Sequence, residues 1–171
     1  NNIREESRLK FRFAENDTVI KFDDTKFYRD YFNKLPEAKG VDFISVANDK
    51  IAFIEVKNCT GDEGNNRWRI TPDNRKRNTT HTSVNVEGRD SLDIEIAQKT
   101  AMTIAALVGA KSFGNTKECL YELKEYIQFL TNDTFSDDSK KKYVILFLEG
   151  DFGGKTRTKK MIMQALQNSM N

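Results

Sequence analysis

The segment from Lys39 to Asn58 constrains the fold most, because two apolar runs flank the dipeptide Asn48-Asp49. Asn and Asp both tolerate positive φ, so the dipeptide predicts a two-residue turn between antiparallel strands. Counting outward from that turn places Asp42 opposite Glu55, whereas a three-residue loop would break this pairing. Directly opposed residues point to the same side of a sheet, with Cβ atoms about 4.5–5.5 Å apart. We therefore expect two carboxylates to meet at one end of an apolar hairpin.

A third charge belongs to the same face, because Lys57 follows Glu55 by two residues on one predicted strand. Two adjacent carboxylates repel each other and lose hydration, so a lysine, a shared proton or a divalent cation must compensate them. Hard oxygen ligands suit Mg²⁺ or Mn²⁺. A lysine beside such a metal can orient water or stabilise charge at phosphorus. The three residues would suit phosphodiester hydrolysis; the alternative is a structural ion pair at the sheet end.

The order of the remaining segments predicts a mixed α/β sheet flanked by helices on both faces, in a single domain over residues 1–171. Residues 51–57 and 143–148 should be parallel strands, and the apolar run 143–148 is typical of a strand covered on both faces. A short helix should be capped by Asp23 or Asp24 and should end before Pro36. A long helix should begin after Ser91. Its sheet-facing stripe is expected to comprise Ile94, Ala97, Gln98, Ala101, Ile104, Ala105 and Val108.

The residue inventory excludes several classes of site. One histidine and two cysteines make a zinc site of Cys and His ligands, or a histidine-activated nucleophile, very improbable. Two thiols without a signal peptide favour a cytoplasmic protein, and no apolar run has membrane-spanning length. The net charge of +2 identifies no anionic partner by itself.

The residues around the turn resemble a known family. "GVDF", a short gap and "FIEVKN" are similar to the motif of the PD-(D/E)XK nuclease superfamily, which has the restriction-endonuclease-like fold. Asp42 matches its first acid and Glu55-Val56-Lys57 its triplet, while Val41 stands where the proline of the family name would be. The resemblance implies metal-dependent cleavage of DNA, less often of RNA. Asp42, Glu55 and the Val56 carbonyl would bind Mg²⁺ or Mn²⁺, and Lys57 would be catalytic.

The same resemblance suggests two supporting positions. Members often carry a Gln or Lys on the helix after the triplet, and Gln98 fits; Lys99 is expected to be solvated. Many members also have an acid upstream, for which Asp30 is the best match among Asp24, Asp30 and Glu37. Enzymes of this fold often act as dimers, so a homodimer or a partner subunit is left open.

A basic stretch after the triplet suits phosphate contacts and stacking on a base. Its candidate nucleic-acid-binding residues are Arg67, Trp68, Arg69, Arg75, Lys76 and Arg77. The alternative is a solvated loop. At the level of the whole chain, the alternative to a nuclease is a catalytically silent module of the same fold that binds nucleic acid or a partner. A third reading, a P-loop at "EGDFGGKT", is disfavoured because Glu149 replaces the first glycine.

Overall fold

The structure, a computed structural model, describes residues 2–70, 91–132 and 139–170, except the side chains of residues 114–115 and 155–157. Its strands are β1 (Ile3–Glu6), β2 (Leu9–Arg12), β3 (Thr18–Lys21), β4 (Phe43–Ala47), β5 (Lys50–Asn58) and β6 (Lys141–Glu149). Its helices are α1 (Lys26–Asp30), α2 (Glu63–Asn66), α3 (Leu92–Ala110), α4 (Lys124–Thr131) and α5 (Lys155–Met170). The class is therefore mixed α/β, as the sequence predicts.

The described strands form a four-stranded sheet, in the order β3-β4-β5-β6, and a separate two-stranded sheet, β1-β2. β4 and β5 are antiparallel, in a register that runs from Ala47 opposite Lys50 to Phe43 opposite Ile54. Asn48 has φ +49° in the connecting turn. The predicted two-residue turn and its register are confirmed.

β6 runs parallel to β5. The Lys141 N–H donates to the Asp49 carbonyl at 2.7 Å near the start of both strands, and the Cys59 N–H donates to the Glu149 carbonyl at 2.8 Å at their ends. The predicted parallel pair is thus confirmed. The prediction that β6 is covered on both faces is wrong. Tyr143, Ile145 and Phe147 are exposed, because β6 is the last strand of the described sheet.

The chain divides into two compact units, and the single domain inferred from its length stays a prediction. Unit 1 comprises residues 1–56 and 99–147; unit 2 comprises residues 57–98 and 148–171. In unit 1 one side of the sheet packs in the main apolar cluster, which includes Ile44, Phe53 and Leu107. On the other side Phe43 packs with Phe11 in a second cluster, which also contains Ile54 and which we call the hairpin cluster. A β-hairpin therefore covers part of the face where the sequence predicted helices.

In unit 2 the buried apolar residues come from the short helical segment after β5, from the first half of α3 and from the C-terminal region. They include Trp68, Ile70, Leu92, Ile94, Ile96, Phe152, Ile162 and Ala165. The Arg67 guanidinium donates to the Phe152 carbonyl at 3.1 Å, and Glu63 accepts from the Asp151 N–H at 3.1 Å. These contacts connect the segment after β5 to the segment after β6.

The predicted stripe on α3 is wrong at several positions, because Gln98, Ala101, Ala105 and Val108 are exposed. Thr103 and Leu107 are buried instead. The second half of this helix has apolar residues on nearly all sides, so the periodicity of the sequence could not show which face is packed. The Thr103 hydroxyl accepts from the Val41 N–H and donates to the Lys99 carbonyl. These bonds allow a polar side chain to be buried there.

The first helix is capped by a later residue than the predicted Asp23 or Asp24. Thr25 is its N-cap, and the Thr25 hydroxyl accepts a hydrogen bond from the Tyr28 N–H. Asp23 and Asp24 belong to a preceding 3-10 turn, so neither caps α1. Among the helices in the described ranges, none has the length and apolar character needed to cross a bilayer.

Candidate metal centre

Asp42 lies just before β4 and is held by hydrogen bonds of its backbone and its side chain. Its N–H donates to the Ile54 carbonyl at 3.1 Å, and its carbonyl accepts from the Phe22 N–H at 2.8 Å. Its Oδ2 accepts from the Val56 N–H at 2.7 Å. Neighbouring strands therefore fix the Asp42 carboxylate, as an ordered metal ligand would require.

Glu55 lies on the same side of the sheet as Asp42. Side chains alternate along a strand, and Phe53 belongs to the main cluster whereas Ile54 belongs to the hairpin cluster, so Glu55 faces the main cluster. Glu55 is only 1% exposed, and its Oε1 lies 2.6 Å from the Lys99 Nζ on α3. A buried carboxylate needs such a partner, because an uncompensated buried charge costs several kcal/mol.

The position of Glu55 affects the ionisation of Asp42. Burial, and then the negative charge of Glu55, raises the pKa of Asp42 to about 7, while the Val56 N–H and the Lys99 charge act against that rise. Without a cation nearby, Asp42 therefore binds a proton much more readily than an ordinary aspartate does. The predicted convergence of these two acids agrees with this coupling.

Two further acids complete a cluster with Asp42. One oxygen each from Glu6, Asp23 and Asp42 lie within 4.8 Å of one another. Burial raises the pKa of Asp23. Burial also acts to raise the pKa of Glu6, but the net shift is downward, because Lys21 Nζ lies 3.0 Å from Glu6 Oε2 and stabilises the carboxylate. We call Glu6, Asp23, Asp42 and Glu55 the acidic group.

This donor set fits a hard divalent cation. Opposite ligands of a cation are separated by about 4.2 Å for Mg²⁺ and about 5 Å for Ca²⁺, which is comparable with the spacing of the clustered oxygens. Asp23 Oδ1 is buried and accepts no hydrogen bond in the structure. Carboxylate oxygens without other donors are the ligands that such ions prefer.

Lys57 forms its ion pair within unit 2. Its Nζ lies 2.8 Å from Glu95 Oε1 on α3, and the Arg69 guanidinium lies 2.5 Å from Glu95 Oε2. One glutamate therefore interacts with two cations, and each of the three side chains is less than one-fifth exposed. The sequence did not predict a role for Glu95.

The remaining predicted site residues have mixed outcomes. Gln98 is exposed. Lys99 forms an ion pair with buried Glu55, so the expectation that Lys99 is solvated was wrong. The reason is that the packed face of α3 differs from the predicted one. Trp68 is 5% exposed, so the prediction that it stacks on a base is wrong for this structure. Arg67 remains exposed although its guanidinium donates to the Phe152 carbonyl, whereas Arg69 is partly buried beside Glu95. Arg75, Lys76 and Arg77 lie outside the described residues.

Sequence reasoning missed the upstream acids that the structure places beside Asp42. The sequence favoured Asp30 on the first helix as the upstream acid, whereas Glu6 is on β1 and Asp23 is in the turn after β3. Asp23 was predicted only as a possible helix cap. The pairing of β3 with β4 brings that turn to Asp42, and no local pattern around Glu6 or Asp23 indicates it.

The comparisons with known proteins identify a family without an assigned activity. No curated protein and no solved structure matches the chain. A family model described as a family of unknown function, DUF6661, matches residues 25–171, which include Asp42, Glu55, Lys57 and Lys99 and begin after Glu6 and Asp23. Since the match covers most of the 171 residues, the chain belongs to the DUF6661 family.

Proposed function

We propose that the protein is a Mg²⁺- or Mn²⁺-dependent nuclease that hydrolyses phosphodiester bonds in DNA, with a restriction-endonuclease-like fold. The observation that carries the proposal is the acidic group around Asp42, at the end of the hairpin whose residues resemble the PD-(D/E)XK motif. DNA as the substrate rests on that resemblance, which also allows RNA.

The balance of charges favours a cation at this position. The acidic group holds four carboxyl groups, and among the described residues Lys21 forms an ion pair with Glu6 and Lys99 forms one with Glu55. Neither Asp23 nor Asp42 forms an ion pair within the described ranges. With all four acids ionised, these two lysines offset two of the four negative charges, and one divalent cation would neutralise the other two.

Each residue of the motif has a distinct task in this proposal. Asp42 and Glu55, with the Val56 carbonyl, would hold the metal, and Glu6 and Asp23 would supply further oxygens. The bound cation would stabilise the negative charge that develops on the phosphate and favour ionisation of a water. Lys99 would be a positioning residue, because its ammonium group holds Glu55. Lys57 would donate to the phosphate or orient the attacking water.

One contact supports the alternative of a module that binds without cleaving. The Lys57 ammonium is paired with Glu95, and a protonated lysine cannot accept a proton from water. An ammonium group has three donors, so it can retain Glu95 and still donate elsewhere. The proposed nuclease therefore requires Lys57 to make a further bond.

Cleavage of plasmid and linear DNA tests the proposal. The purified protein is incubated with Mg²⁺, Mn²⁺ or EDTA, alongside Glu55→Gln, Lys57→Met and their matched controls. Asp24→Asn is the control for the acids, since Asp24 is exposed and lies outside the cluster. Lys10→Met is the control for the lysines, since Lys10 is a largely exposed residue of β2. We expect cutting that requires metal, is lost in both site variants and survives in both controls.

Two outcomes oppose the proposal. If wild-type protein retards DNA but never cuts it with either metal, the non-cleaving module replaces the nuclease. If cutting persists in folded Glu55→Gln and Lys57→Met protein, the cutting does not come from this site. Circular dichroism of each variant separates loss of chemistry from loss of fold.

A further inference from the structure

An apolar strip lies along β6 and has no part in the proposed nuclease site. Tyr143, Ile145 and Phe147 are 45%, 43% and 39% exposed. They occupy alternate positions, so they point to one side of the sheet, and they span about 13 Å at 3.3 Å per residue. We call these three residues the β6 strip. Among residues in the described ranges, Phe147 meets Phe11 edge-on at a ring-centroid distance of 5.0 Å, leaving the rest of its ring exposed.

The backbone of β6 also has an edge that no described strand covers, because β6 ends the order β3-β4-β5-β6. Lys141 N–H and the Glu149 carbonyl are directed toward β5 and its flanking residues. In a parallel pair, every second residue of a strand bonds to the neighbouring strand, and the residues between them point their backbone groups the other way. Val144 and Leu146 therefore direct their N–H and C=O groups to the outer edge of β6. A long apolar edge of this kind is a template for pairing with another strand.

When two copies of β6 lie antiparallel, complementary side chains are opposed along one side of the strand. A two-fold axis at Ile145 places Tyr143 opposite Phe147 and Lys141 opposite Glu149. These residues would form the non-hydrogen-bonded pairs, in which opposed side chains are closest, while Val144 and Leu146 would exchange backbone bonds. A shift of two residues in either direction opposes Lys141 to Phe147 or Tyr143 to Glu149 and removes both ion pairs. Parallel pairing in register would oppose like charges.

We propose that this protein forms a two-fold symmetric homodimer in which the β6 edges of two copies pair antiparallel about Ile145. The occupant is a second copy because the charges at the two ends of β6 match each other only when the strand meets its own reverse. An isologous contact of this kind is closed, so it yields a dimer rather than a filament. The two four-stranded sheets become one continuous sheet, and the proposal is independent of the nuclease activity.

Sedimentation velocity over a range of protein concentrations tests the dimer. Ile145→Lys places two like charges at the axis, and we expect it to weaken dimerisation at least about tenfold, whereas Tyr121→Lys, at an exposed apolar residue away from β6, leaves it unchanged. Lys141→Glu and Glu149→Lys should each weaken the dimer. The double variant Lys141→Glu/Glu149→Lys should recover it, because the ion pairs return with their signs reversed.

Crosslinking tests the register. In the proposed pairing the two Ile145 Cα atoms are about 4.5 Å apart, within the range that a disulfide spans. Ile145→Cys should therefore form a covalent dimer under a mild added oxidant, and Tyr121→Cys should not. Wild-type protein that stays monomeric at the highest concentration it tolerates overturns the proposal. A dimer that Ile145→Lys leaves intact, or that the double charge exchange does not recover, overturns this interface.

Discussion

Replacement of Asp42 by Asn should stabilise the metal-free protein above neutral pH. Burial and Glu55 raise the pKa of Asp42 to about 7 in the folded protein, against 3.8 for an unperturbed aspartate. At pH values between these two, Asp42 therefore binds a proton more tightly in the folded state than in the unfolded state. Its contribution to stability is full below pH 4, falls as the pH rises, and is lost once the pH exceeds about 7.

The size of the effect follows from the shift. The pKa of Asp42 differs by about 3 between the folded and the unfolded state, and a change of one in pKa corresponds to about 1.36 kcal/mol. The free-energy difference is therefore about 4 kcal/mol. This is an upper bound, because water entry and local relaxation reduce it. The asparagine retains an oxygen that accepts from the Val56 N–H, so the variant keeps that hydrogen bond. It has no charge to ionise beside Glu55, so the penalty disappears.

Urea denaturation in EDTA at several pH values from 4 to 8.5 measures this prediction. The free energy of unfolding of Asp42→Asn minus that of the wild type should be near zero at pH 4 and should grow to a positive plateau above pH 7. Asp24→Asn, at an exposed position, should show no such rise. A difference that does not change with pH, or a variant less stable than the wild type at pH 8, would refute the raised pKa of Asp42. With Mg²⁺ or Mn²⁺ present the wild type should recover stability and the variant should not.

Three further substitutions test the contacts that position the site and the core. Lys99→Met should destabilise the protein by about 3–5 kcal/mol in urea, because it leaves Glu55 buried without its lysine; a loss no larger than that of Lys10→Met would contradict this. Trp68→Ala should cost about 3–5 kcal/mol, because the indole is buried; a cost below about 1 kcal/mol would indicate a surface position. Thr25→Ala should lower stability by about 1 kcal/mol through loss of the cap on α1, with Thr25→Ser restoring it; equal melting of both variants would exclude the cap.

The sequence by itself determined the hairpin and the side on which its acids lie. The dipeptide Asn48-Asp49 specifies a two-residue turn, and the turn sets which residues of β4 and β5 are opposed. Side chains alternate along a strand, so Asp42 and Glu55 had to share a face once that register was set. This inference used only local geometry, and for that reason it could be made from one sequence.

Only the tertiary structure decided which residues surround those acids. The pairing of β3 with β4 brings Asp23 to Asp42, and the packing of α3 selects Lys99 rather than Gln98. The sequence also did not reveal that β6 is the last strand of the described sheet, because an apolar run is the same in the middle of a sheet and at its end. These outcomes depend on contacts between residues far apart in the chain. Such contacts are set by the packing of whole helices and strands, so the local periodicity of a sequence cannot predict them.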